Sequence, residues 1–166
     1  MENNGHKWPG GLSGALGAFT VIVGLAVGAT IFLPWLANKD FLFWTALTGD
    51  LRGNFILVWG GGTLLFTGFW SLFCGLLILI GGLLTLLKKR FGTMVVIVGG
   101  AVGVVTAVFD IVMIFTRLRM ESGALTVYQR PGFGLWLFLA FSMVALALGV
   151  VGFLRSGGGQ GSGAGA

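Results

Sequence analysis

The chain is predicted to be an all-α membrane protein: four transmembrane helices in a left-handed antiparallel bundle with small-residue packing faces. Three observations lead there. First, residues 8–38, 53–87, 91–109 and 131–154 contain no Asp, Glu, Lys or Arg, and each is about as long as, or longer than, the ~20 residues that cross a hydrocarbon core. Second, only 9% of the 166 residues are charged while 56% are hydrophobic, a mixture foreign to soluble domains. Third, glycines and other small residues recur within each stretch at intervals of three, four and seven, the left-handed bundle period.

The first helix is expected over about residues 12–33, stopped by Pro34 and followed by Trp35 at the interface. Lys7, an apolar run and Ala26-Val27-Gly28 superficially resemble a secretory signal. The apolar run continues too far for a cleaved segment, so it is expected to stay as the first crossing. In the following loop Asp40 can cap a short interfacial helix over about 40–48, including Trp44. The second apolar run is too long for one upright crossing. Gly60-Gly61-Gly62 is the natural break, which places the second helix at about 63–87 and Phe55–Trp59 in the outer interface. The third and fourth helices are expected at about 93–116 and 133–154. Residues 1–155 thus form a single domain, and 156–166 a Gly/Ser-rich tail with nothing to bury.

The small residues fall on one face of each helix. Gly14, Gly17, Gly24 and Gly28 mark the first; Gly61, Gly68, Gly75 and Gly82, seven apart, mark the second. Gly99 and Gly103 continue into Thr106 on the third, and Ser142, Ala145, Gly149 and Gly152 line the fourth. Glycine weakens helices in water, but in lipid it permits the close backbone approach through which helices associate. The bulky residues Phe19, Ile22, Phe66, Phe69, Trp70, Phe73, Phe138 and Phe141 are expected on opposite faces, toward lipid or another copy.

Asp110 is the one ionisable residue inside a span, and intramembrane charge is costly unless paired. Arg117 lies two turns on along the same face and can reach back, so Asp110 and Arg117 form a candidate buried charge pair. Trp35, Trp44, Trp136, Lys88, Lys89 and Arg90 are candidate interface anchors.

Other chemistry finds little to stand on. The single histidine, His6, precedes the first helix, and Cys74 is the single cysteine. Haem held by two histidines, a structural metal site and a disulfide framework therefore lack their ligands. No nucleophile has a base at a suitable phase, and neither glycine run carries the phosphate-loop lysine. No catalytic, cofactor-binding or metal-binding residue is assigned, and the chain is not expected to be an enzyme. Bound lipids are the expected ligands. The net charge of +5 lacks the clustered face that nucleic acid requires.

Four helices, an aromatic first outer loop and a very short inner loop resemble the plan of claudin-type and tetraspanin-type proteins. Those families organise assemblies by lateral self-association. Trp35 and Trp44 stand here without the claudin Gly-Leu-Trp and cysteine pair, and the second outer loop has no Cys-Cys-Gly. Leu33-Pro34-Trp35 is similar to the end of the first helix in many uncharacterised bacterial four-helix membrane proteins. The expected function is that of a structural protein self-associating into a homo-oligomeric or higher-order array. An accessory subunit of a respiratory or transport complex is the alternative, and a small channel or transporter using Asp110 the third. Cation density in the shortest loop places both termini in the cytoplasm.

Overall fold

The computed structural model describes residues 11–33, 35–37, 57–60, 63–66, 68–89, 91–116 and 130–157. In chain order these form α1 (Gly11–Ala29) with a 3-10 turn (Thr30–Phe32), β1 (Leu36–Ala37), β2 (Leu57–Gly60) and β3 (Thr63–Phe66). There follow α2 (Phe69–Leu86), α3 (Phe91–Thr116), β4 (Arg130–Pro131) and α4 (Phe133–Gly157). Four helical segments are long and apolar enough to cross a membrane, so the chain is a multi-pass integral membrane protein. Each helix packs on the next in sequence, and α1 closes against α4 more lightly.

Where the helices meet, backbones approach closely. A Cβ placed on Gly75 would lie 2.6 Å from the Gly28 nitrogen and 2.8 Å from the Gly24 oxygen, and one on Gly24 would lie 2.7 Å from the Leu79 nitrogen. Gly17 stands against Leu86, and Gly82 against Val21. Contact partners therefore run down α2 as they run up α1, which makes the pair antiparallel. Gly14 has no neighbour at this seam, with nothing within 4 Å of its added Cβ.

The second helix begins later than expected. Residues 63–66 belong to β3, paired antiparallel with β2 in the register Leu57↔Phe66 through Gly60↔Thr63. The glycine triplet therefore breaks the apolar run more deeply than a helix start requires. Only two residues separate the paired ends, and a two-residue glycine connection between β-branched and aromatic residues is a hairpin signal. Gly61 lies outside the described residues and the stretch before it is strand, so the α2 glycine series opens at Gly68, the residue before the helix. The last helix runs past the expected end at 154, to Gly157. The proposed interfacial helix over 40–48, Trp44, Arg90 and Arg117 lie outside the described residues.

The α2–α3 connection is a helix-ending turn. Lys88 donates its N–H to the Thr85 oxygen at 3.0 Å, and Lys89 to the Leu84 oxygen at 2.8 Å. This pattern satisfies the last carbonyls of α2 and requires a left-handed residue, usually glycine; here it is Lys88, at φ 58.

The packing yields a paired prediction. Gly75→Ala should lower thermal stability in detergent by ~1–3 kcal/mol, because backbone cannot yield as a side chain can. Gly14→Ala, in open space, should leave stability unchanged or raise it by up to ~1 kcal/mol. Equal melting temperatures for wild type and Gly75→Ala would refute the close approach of α1 and α2.

Candidate functional site

Buried polar side chains come from all four helices and the 3-10 turn: Thr20 midway along α1, Thr30 in the turn after it, Ser71 on α2, Thr93, Thr106 and Asp110 on α3, and Ser142 on α4. Three of the hydroxyls turn back on the backbone just before them, as hydroxyls do where no water competes. Thr30 Oγ1 donates to the Val27 oxygen at 2.6 Å, Ser71 Oγ to the Gly68 oxygen at 2.8 Å, and Thr20 Oγ1 to the Leu16 oxygen at 2.8 Å. Ser142 differs. Its hydroxyl is buried, has no hydrogen-bond partner among the described residues, and fills the space opened by Gly103 on α3.

Asp110 is 1% exposed, and the α3–α4 register locates it. Gly100 meets Leu146, Gly103 meets Ser142, Ile97 meets Gly149 and Thr93 meets Gly152. Two turns beyond Gly103 and two turns before Ser142 bring Asp110 level with Leu135, in the first turn of α4. Gly132, Gly134 and Leu135 are all buried there. A helix start carries partial positive charge on its first amides, which favours a carboxylate at this level. The expected partner Arg117 lies beyond the last described residue of α3.

The same end of the bundle is clasped. β1 pairs with β4 through Leu36↔Pro131 and Ala37↔Arg130. Gly132 donates its N–H to the Trp35 oxygen at 2.6 Å. Trp35 is turned inward and buried rather than spread along the interface. Its Nε1 donates to the Thr30 oxygen at 2.8 Å, and its ring stacks on Phe138 at 5.3 Å. Phe138, expected on an outward face, is fully buried. Its Cζ would lie 3.6 Å from a Cβ on Gly103, an ordinary contact distance, so the close neighbour of Gly103 is Ser142 and not this ring. Among the other bulky residues Phe19, Ile22 and Phe73 are exposed, while Phe69, Trp70 and Phe141 are half-buried. Trp136, Lys88 and Lys89 are exposed.

Sequence phase missed two close contacts. A Cβ on Gly81 would lie 2.8 Å from the Gly92 oxygen, and one on Gly100 would lie 2.7 Å from the Leu146 nitrogen. The available signal was the doublets Gly81-Gly82 and Gly99-Gly100. Adjacent helical residues point about 100° apart, so a doublet serves a helix with a neighbour on each side. Ala145, Gly149 and Gly152 are buried on α4 as the single-face pattern expects. Among the described residues no group of three or more His, Cys, Asp or Glu could hold a metal ion. No protein-family model, curated protein or solved structure matches this chain.

Asp110→Asn should keep the fold, because the amide oxygen still accepts hydrogen bonds, whereas Asp110→Leu should cost ~1–2 kcal/mol more through the lost helix-start interaction. Thermal melts of both variants in detergent test this, and a leucine variant as stable as wild type would refute it. Under the same structural assignment no proton flux is expected in liposomes. A wild-type flux abolished by Asp110→Asn would make Asp110 a relay instead. Ser142→Ala should be nearly neutral in the same melts, since it removes no hydrogen bond to a described residue; a loss above ~2 kcal/mol would expose a hidden partner.

Proposed function

We propose that this chain is a structural integral membrane protein: a left-handed bundle, packed through small-residue faces, that self-associates laterally into a homo-oligomer or larger array. The observation that carries the reading is the outward face of α4. Phe133, Trp136, Ala140, Met143, Ala147, Val150 and Leu154 alternate at three and four residues and are all exposed. Four helices already occupy one another's inner faces, so this regular stripe is left for lipid or for a second copy. Ala140 and Ala147, seven apart on it, would admit a neighbouring helix closely, in the way helices associate within lipid.

Left-handedness is supported by the three-four-seven recurrence of buried small residues. Cytoplasmic termini are supported by the cation density of the α2–α3 connection. A structural role also accords with Thr20, Thr30 and Ser71, whose buried hydroxyls bond to local backbone.

Purified alone in mild detergent, the protein should run as a homogeneous oligomer by light-scattering-coupled sizing. Ala140→Trp combined with Ala147→Trp should shift it to monomer without lowering the melting temperature, because both positions point outward. A monomeric wild type at high concentration, in detergent and in nanodiscs alike, would reject self-association and favour an accessory subunit that needs a different partner.

A further inference from the structure

We infer that the α2–α3 connection and the end of α4 together form a binding site for the headgroup of an anionic phospholipid. Lys88, Lys89 and Arg155 are all exposed. The antiparallel register brings them to one end of the bundle. Gly152 meets Thr93 across α3 and α4, Arg155 follows one turn beyond Gly152, and Lys89 precedes Thr93 by about one turn. Asp110, the one acid among the described residues, stands at the opposite end, so no described carboxylate neutralises this group.

Lys88 supplies the second, independent observation. It occupies the left-handed position of the turn, at φ 58, where glycine is the strain-free choice. A non-glycine residue in that conformation carries a backbone penalty, and strain of this kind concentrates where a side chain has a task. Here the strained backbone holds an ammonium beside Lys89 at the head of the bundle. Leu87, Phe91 and Leu154 are about two-thirds exposed around the cations, giving acyl chains an apolar seat directly below a charged headgroup. Cationic pockets between transmembrane helices bind acidic headgroups in this manner.

The test uses the full-length protein, exchanged in detergent against phosphatidylglycerol or phosphatidylcholine, with retained lipid counted by native mass spectrometry. Each cation near an acidic surface is worth roughly a fivefold preference, so wild type should retain phosphatidylglycerol at least about tenfold over phosphatidylcholine. Lys88→Gln with Lys89→Gln and Arg155→Gln should abolish that preference, and Lys89→Arg with Arg155→Lys should keep it. Lys88→Gly separates strain from binding: it should melt higher than wild type in neutral detergent, yet lose about fivefold in lipid preference. Raising salt on wild type alone should weaken the preference, which needs no variant to fold. Equal retention of the two lipids by wild type, or an unchanged preference in the triple variant, would overturn the site. A thermal shift from inorganic phosphate as large as that from phosphatidylglycerol would overturn its assignment to lipid.

Discussion

Close backbone approach between α1 and α2 is the constraint on which the bundle depends. Where Gly75 faces Gly24 and Gly28, no room remains for even one added carbon. In water such an approach would add little to what hydrophobic burial supplies. In lipid the surroundings are as apolar as the helix, and what remains is dispersion between closely packed surfaces and the dipolar interactions that proximity allows. The approach also fixes the depth of α2 relative to α1. With α2 fixed, Gly81 and Gly92 set α3, and Gly100 and Gly103 set α4. The glycine doublets transmit close contact through the two middle helices, each of which must serve neighbours on two sides.

The consequences appear at the end where Asp110 lies. Because α3 and α4 are in register from Thr93–Gly152 through Gly103–Ser142, Asp110 lies level with the first turn of α4 rather than its middle. That turn is held by the pairing of β1 with β4 and by the Trp35 oxygen, which accepts from Gly132. Trp35 then reaches across to stack on Phe138. Two constraints thus act together at this end: the glycine contacts set the level of Asp110, and the strand pair with Trp35 holds the helix start at that level.

Much of this was legible in sequence, and what was not has physical reasons. Length, charge-free runs and phase locate four helices, since lipid leaves a spanning chain few alternatives. Gly75, Gly82, Gly99, Gly103, Gly149 and Gly152 stand at contacts as their phase implies. The hairpin over Leu57–Phe66 was hidden because an apolar run reads alike as strand or helix when neither period dominates; only the glycine triplet distinguished them. Phe138 is expected outward and Trp35 at the interface because bulky aromatics usually flank lipid or its boundary. Their inward turn depends on one another and on Thr30 and Gly132, partners distant in sequence that no local window contains. Gly14 kept the phase and lacked the partner, since α2 ends beside Gly17.

Five charged residues are described, and one of them, Arg130 in β4, precedes α4 at the Asp110 end. Lys88, Lys89 and Arg155 stand exposed at one end, while Asp110 is buried toward the other. The two arrangements solve different problems. An exposed cation keeps its hydration and adds attraction to an acidic surface within a Debye length. A buried carboxylate has lost its water and needs oriented dipoles close by, which a helix start provides. Exchanging them would fail at both ends: a lysine at position 110 would meet the positive end of α4, and acids in the α2–α3 turn would repel an acidic leaflet while adding negative charge to the carbonyl end of α2. The start of α4 suits a carboxylate at its level, and since glycine contacts fix the antiparallel register, the level of Asp110 against α4 follows from the packing.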